Sequence, residues 1–242
     1  MCTLCILSVL CGLNCNKKNH SSYVILSFDD NSVDEWFENR ELFLSYNIKA
    51  TFFISHPQLL TDDQIDKLKI LMADGHEIGC HGFNHKRVTD ENMYQYIENE
   101  IIPALHFFSE NGFTVSSFAY PFGNSVPYLD SLLTNYFTFI RKATYNYNDT
   151  LISSYPEIYA HPGQYCITNA MGIDSNYFIS MENLEAAIIK AKETNTYLVL
   201  YAHEINESNE DYSITPKYLE ELFVLMKKNN VQSMLCNELI LK

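Results

Sequence analysis

The stretch Tyr23-Val24-Ile25-Leu26-Ser27-Phe28-Asp29-Asp30 decides the fold. Residues 23–28 form an apolar run of the length expected for a strand buried on both faces, and such strands belong to parallel sheets covered by helices. Outward from it, strand and helix patterns alternate. Helical spacing covers Asp34–Tyr46, and a strand follows over Ala50–Ile54. Thr61–Ala73 opens Thr-Asp-Asp-Gln, an N-cap with acids in the first turn, and continues as an amphipathic helix. Glu77–Cys80 reads as a strand, and Thr89–Ser109 as one long helix. Strands at Val115–Ala119 and Tyr136–Ile140 flank a helix near Val126–Thr134. Helix Met181–Glu193, strand Tyr197–Ala202, helix Pro216–Lys228 and a last strand Val231–Met234 complete the pattern. About seven strand–helix units imply right-handed crossovers. The expected fold is α/β, a distorted (β/α)7-type barrel in a single domain, with its site at the C-terminal ends of the strands. An open doubly wound sheet is the alternative. No glycine-rich phosphate loop follows the first strand, which weighs against it.

The length of 242 residues suits one such barrel. A hydrophobic fraction of 47% with 19% charged residues excludes disordered and fibrous classes. Sixteen basic residues against 30 acidic ones give a net charge of -14, which opposes nucleic acid and anionic membrane surfaces as partners. Four of the seven cysteines (Cys2, Cys5, Cys11 and Cys15) lie in an apolar start that runs into Asn16-Lys17-Lys18-Asn19. That start is too short to span a bilayer and has the size of a signal peptide's apolar core. Residues 1–20 are therefore expected to be a signal or lipoprotein-like segment and 21–242 the barrel. The expected location is the cell envelope of a bacterium, with membrane contact only through that segment. A disordered or misassigned start is the alternative. Cys80, Cys166 and Cys236 are odd in number and form no CxxC, so neither a zinc ribbon nor a disulfide framework is expected.

Polar residues at the strand ends carry the chemistry. Asp29-Asp30 can divide labour, one carboxylate holding a metal and the other acting as base; the plainer reading is capping of the helix around Trp36. His81-Gly82-Phe83-Asn84-His85 places two imidazoles four apart, able to meet one ion from one side of a turn. An Asp and two His leave a position open for water, the arrangement of a catalytic rather than a structural zinc. His203 directly follows a buried strand, where a general acid can reach a reacting group. Taken alone it is a rim histidine.

In order, Ser27-Phe28-Asp29-Asp30, His81–His85, Ala119-Tyr120-Pro121-Phe122-Gly123 and Leu200-Tyr201-Ala202-His203 resemble four motifs of the polysaccharide deacetylases. Those motifs of this NodB-homology family, carbohydrate esterase family 4, are TFDD, H[ST]xxH, RxPYG and Leu-x-His. The resemblance implies a distorted barrel that removes acetyl groups from N-acetylglucosamine polymers or acetylated xylan. It implies one divalent metal ion, zinc first, held by Asp30, His81 and His85. Asp29 becomes the base and His203 the acid. Tyr120, Pro121 and Phe122 form the substrate and oxyanion turn, with the Phe122 N–H as donor. The implied partner is an acetylated glycan. Two alternatives stay open: a non-catalytic carbohydrate-binding relative, and a metal-dependent amidase or esterase acting on a small non-glycan substrate.

The sequence departs from the family in three places. The Arg of the third motif is Ala119, the DxxDW motif is not visible, and Gly82 replaces a hydroxyl; the single Trp is Trp36, in the first helix. A carboxylate base buried near a metal needs a cationic partner. Of Arg40, Arg87 and Arg141, Arg141 alone directly follows an apolar strand. It is expected to emerge at the rim and reach Asp29 from the strand beyond Ala119. The Lys142–Asn176 segment has little periodicity but many tyrosines: Tyr145, Tyr147, Tyr155, Tyr159 and Tyr165, with Tyr177 beside it. Tyrosines at a barrel mouth suit sugar rings, and equally they pack a loop onto the barrel. His56, His76, His106 and His161 are assigned structural roles.

Overall fold

Eleven strands and seven α-helices form in the computed structural model, which describes residues 22–146, 151–163, 167–208 and 210–239. The apolar cysteine-bearing start, Tyr147, Tyr165 and Cys166 lie outside the described residues. In chain order the strands are β1 (Tyr23–Asp30), β2 (Thr51–Ile54), β3 (Glu77–Cys80), β4 (Ser117–Ala119) and β5 (Phe139–Thr144). Then come β6 (Tyr159–Ala160), β7 (Ile167–Gly172), β8 (Tyr197–Ala202), β9 (Glu204–Ile205), β10 (Ser213–Ile214) and β11 (Gln232–Met234). The helices are α1 (Val33–Glu38), α2 (Arg40–Tyr46), α3 (Asp62–Ala73), α4 (Ile102–Glu110), α5 (Pro127–Leu133), α6 (Met181–Thr194) and α7 (Pro216–Lys228).

Parallel pairing runs β1–β2–β3–β4–β5–β7–β8 and returns from β8 to β1, closing a seven-stranded barrel. β11 adds in parallel to the first residues of β1, and β6 adds antiparallel to β8, both outside the ring. Along β1 the pleat sorts side chains by parity. Val24, Leu26 and Phe28 pack outward with the helices, in one large cluster. Ile25 belongs to the barrel interior with Phe53, Ala119, Phe139, Val199 and Tyr201. The same alternation carries Asp29 inward. Cys80 and Cys236 are buried free thiols.

Beyond shifts of one or two residues at element ends, four departures from the sequence reading have a physical reason. The seventh barrel strand is β7; Val231–Met234 pairs outside the ring. The Tyr136–Ile140 strand starts three residues later, because Tyr136 and Phe137 close the turn of α5 through bonds to Leu133. As a result Arg141 lies inside β5 rather than just past it. The first helix breaks at Asn39, whose side chain bonds back to the Glu35 carbonyl at 2.8 Å. The long helix expected over Thr89–Ser109 is shorter: residues 90–95 form turns, and a π-turn at Ile97–Ile101 leads into α4. Pro103 causes the π-turn: it has no N–H for the Asn99 carbonyl, and its ring crowds that group. By contrast, Thr61 and Gln64 form the capping box that the sequence of α3 announces.

Candidate active site

Asp29 ends the inward row of β1, buried at 3% exposure, and its Oδ2 accepts a hydrogen bond from the Arg141 guanidinium. Arg141 faces Ala119 in the β4–β5 register, so the cation stands one strand beyond the family's position, at the same level. The arginine is itself 1% exposed and points into the barrel, not out over the rim. Its guanidinium carbon lies 4.6 Å from the Tyr201 ring centre and 5.4 Å from that of Phe53. Burial alone would raise the Asp29 carboxyl, but the charge and hydrogen bond of Arg141, with the charge of His203, outweigh it, and the net shift is downward. Asp29 is thus ionised at neutral pH. Its Oδ1 has no partner within the protein and remains free to accept a proton.

Beside it, Asp30, His81 and His85 aim one ligand atom each at a common point, all within 4.8 Å of one another. The His81 Nδ1 lies 2.8 Å from the Ala119 carbonyl, which makes Nδ1–H the donor and leaves Nε2 as a lone pair. That Nε2 faces Asp29 at 3.7 Å and Asp30 at 3.8 Å, while the His85 Nε2 faces the same Asp30 oxygen at 3.3 Å. Burial keeps His81 below the ordinary histidine range, and burial with the neighbouring His81 brings His85 to about 4. Both rings are therefore neutral near pH 7. Acceptors converge with no proton between them, a disposition that a cation resolves. Zinc ligands about 2.0–2.1 Å from the metal in a tetrahedron stand roughly 3.3–3.4 Å apart; the Asp30–His85 pair at 3.3 Å matches this, and the Asp30–His81 pair at 3.8 Å would close slightly on an ion. Asp30 and His85 both hold positive φ, +83° and +51°, so backbone strain is concentrated at this site.

Opposite stands His203, whose Nδ1 lies 2.8 Å from Asp174 Oδ2; its backbone N–H bonds to the other carboxylate oxygen at 2.9 Å. Burial would lower this imidazole, but the bond to Asp174 and the charges of Asp174, Asp29 and Asp30 raise it to about 9. Its carbonyl accepts from Trp36 Nε1 at 2.8 Å. Asp174 escaped the sequence reading because it follows β7, a strand that was itself unrecognised. A polar residue just past that strand's end is the signal that marks it.

Asp29, Arg141, Asp30, His81, His85 and His203 line one cleft of about 510 Å³, with Asp174 behind His203 and outside the lining. Of the expected oxyanion turn, Phe122 lines the cleft, in a left-handed conformation at φ +61°. Tyr120 and Pro121 do not. Tyr120 is buried with its hydroxyl on Asp130 at 2.7 Å, and Pro121 is buried as well. The tyrosine expectation divides. Tyr145 and Tyr177 line the cleft along with Tyr201 and Tyr212, whereas Tyr159 is buried on the β6 side with its hydroxyl near the Ala187 carbonyl.

A family profile described as Polysaccharide deacetylase matches residues 16–136, half of the chain. No curated protein matches. Among solved structures, the chain is similar to a family 4 acetyl xylan esterase from Clostridium thermocellum in complex with a cobalt ion. There the TM-score is 0.57 at 21% identity, covering 90% of each chain. A peptidoglycan N-acetylglucosamine deacetylase catalytic domain from Eubacterium rectale gives a TM-score of 0.53 at 16% identity, covering 91% of this chain and 90% of that one. A mutant of the pseudoenzyme BA3943 gives 0.58 at 14%, covering 91% and 67%. At such identities the structures speak for the fold. Together with a profile that contains Asp29, Asp30, His81, His85 and the Ala119–Gly123 turn, they show that this chain belongs to the polysaccharide deacetylase family.

Proposed function

We propose that this protein is a metal-dependent hydrolase that removes acetyl groups from an N- or O-acetylated glycan. The observation that carries the reading is the convergence of three elements in one cleft. These are the Asp29–Arg141 pair, the Asp30–His81–His85 donor set and His203, which Asp174 holds from behind the cleft wall. A non-catalytic relative has no need of a buried carboxylate kept ionised beside a histidine kept protonated.

Asp30, His81 and His85 would hold the divalent ion, zinc first, and that ion supplies Lewis-acid polarisation of the acetyl carbonyl and of water. Arg141 keeps Asp29 ionised, so its free Oδ1 takes the proton of the attacking water. The backbone N–H of Phe122, presented by a fixed turn, helps hold the developing oxyanion. The Tyr145 hydroxyl bonds the Phe122 carbonyl at 2.9 Å and steadies that turn. As the C–N or C–O bond breaks, His203 gives its proton to the leaving amine or alkoxide, and acetate departs. Asp174 restores the charge balance at His203 and fixes its ring. The cleft tyrosines offer flat faces and hydroxyls to sugar rings. A substrate outside the cytoplasm agrees with the apolar, cysteine-bearing start, and we place the folded domain in the cell envelope.

The test is acetate release from a panel of acetylated chito-, xylo- and peptidoglycan-derived oligosaccharides, with zinc-loaded protein and Asp29→Asn as control. Release that Asp29→Asn abolishes supports the reading; none on any glycan overturns it.

A further inference from the structure

We infer that Glu100 is a positioning residue for the metal-ligand loop, a role played from the π-turn before α4. The inference rests on the metal-dependent reading above.

Loop residues 82–86 join the two ligand histidines and adopt conformations with little intrinsic support. Gly82 stands at φ +84° and His85 at φ +51°, and only the first of these is a conformation its residue type takes freely. Something outside the loop must hold it. The contacts converge on one short segment. The Glu100 Oε2 accepts from the Asn84 backbone N–H at 2.8 Å, and Oε1 accepts from the Asn84 side-chain amide at 3.1 Å. The Glu100 backbone carbonyl accepts from the Phe83 N–H at 3.1 Å. One turn earlier, the Tyr96 hydroxyl donates to the Lys86 carbonyl at 2.9 Å. The Asn99 carbonyl, which Pro103 cannot use, accepts from the Asn84 side chain at 3.3 Å.

Glu100 is a carboxylate at 2% exposure with no Lys or Arg ion pair among the described residues, so it depends on these donors. Gly82 makes the approach possible. A Cβ at that position would lie 3.0 Å from Glu100 Oε2 and 3.4 Å from Pro121 Cγ, so a side chain there would crowd the carboxylate. The substitution of Gly82 for a hydroxyl residue and the buried Glu100 are thus two halves of one arrangement. The loop is held from below by a carboxylate instead of from within by a hydroxyl. The π-turn sets Glu100 at the required height, and π-turns recur at functional sites for this kind of reason.

The test uses the full chain stripped of metal and titrated with Co(II) alone, reading the visible band, alongside melting temperature and amide exchange at Asn84. Wild type, Glu100→Gln and Glu100→Ala are compared. Groups that orient metal ligands typically contribute 10–100-fold in affinity, so Glu100→Ala should bind Co(II) at least about 10-fold more weakly while retaining native circular dichroism. Glu100→Gln, which keeps one acceptor, should fall between, with faster exchange at Asn84. A merely structural Glu100 would lower the melting temperature and leave the Co(II) affinity and band of the folded protein unchanged; that result overturns the inference. If Glu100→Ala does not fold, Glu100→Gln decides alone: wild-type affinity together with wild-type Asn84 exchange overturns it. Absence of Co(II) binding by the wild type would instead sink the metal-dependent reading itself.

Discussion

Arg141 on β5 bonds to Asp29 on β1 across the barrel interior, and the residue that faces Arg141 in the neighbouring strand is Ala119, where the family carries its arginine. The cation has moved by one strand and kept its level. The move needs room and walls. Ala119 vacates the volume, while Tyr201 and Phe53 offer ring faces to the planar guanidinium. The Phe53 ring in turn fits because its neighbour is Gly79, where a Cβ would fall 2.4 Å from the ring.

Arg141→Met should therefore hurt stability and base strength together. Removing one partner of a buried ion pair costs about 3–5 kcal/mol, because the other charge stays buried. The depressed Asp29 carboxyl contributes stability that is present above its ordinary value of 3.8 and lost as pH falls through its folded value. In Arg141→Met burial dominates, the carboxyl rises, and the acidic limb of kcat/KM moves to higher pH. Denaturant melts and a pH–rate profile check both. The double variant Arg141→Met/Asp29→Asn should recover part of the stability and none of the activity.

Gly79→Ala is expected to disturb the same cluster from a distance. The new methyl must push the Phe53 ring, an overpacking that costs about 1–3 kcal/mol. Activity should fall more than metal affinity, because Phe53 packs against Arg141, the partner of the base. Unchanged turnover with unchanged stability would show that the interior has slack.

Asp29→Asn separates base from ligand. Asp30, His81 and His85 are untouched, so zinc content should stay near one per chain, while turnover falls by about 10²–10⁴. Elemental analysis and acetate release give the two readings. Loss of zinc along with activity would make Asp29 a ligand instead.

Most of the site was legible because its residues follow strands that announce themselves. Tyr23–Phe28, interrupted only by Ser27, and Tyr197–Ala202 are apolar runs, and Asp29, Asp30 and His203 stand at their ends. β7 was not legible for the converse reason. Ile167-Thr168-Asn169-Ala170-Met171-Gly172 has polar residues in its first half and a terminal glycine, because only its second half is buried. With β7 unseen, Val231–Met234 took its place in the count of seven, and Asp174 had no strand end to mark it. Arg141 was found by elimination, although its strand was set too early by a few residues. Glu100 was invisible: in sequence it is one acid of a helix rich in them, and only Pro103 hints that the helix opens there.

Trp36 offers a spectroscopic handle, being the single Trp of the chain and bonded to the His203 carbonyl at 2.8 Å. Trp36→Phe leaves that carbonyl without its donor and should cost about 1–3 kcal/mol. In the wild type, fluorescence should respond to any rearrangement of the loop after β8. Emission insensitive to Asp174→Asn would mean that the backbone at His203 does not depend on Asp174.

The His203–Asp174 pair gives the protein a stability that depends on pH, and its sign can be worked out. His203 is raised from 6.5 to about 9 in the folded, metal-free chain. A raised histidine stabilises fully below its unfolded value and loses that contribution as pH rises through its folded value. The metal-free wild type should thus hold its stability up to about pH 6.5 and shed about 3 kcal/mol between there and about pH 9. Asp174→Asn removes the largest raising cause and leaves burial, which lowers the imidazole, so the variant should be less stable at neutral pH with a flatter profile. Function follows the same proton. The alkaline limb for amide substrates should sit near pH 9 in the wild type and move several units down in Asp174→Asn, because a neutral imidazole cannot protonate the departing amine. Activated esters, whose leaving groups need no proton, should show little of this shift. Chemical denaturation across pH 6–10 on both proteins, with kinetics on an amide and an activated ester, gives the comparison. Parallel stability curves for the two proteins, or equal alkaline limbs on both substrates, would remove His203 from the role of acid.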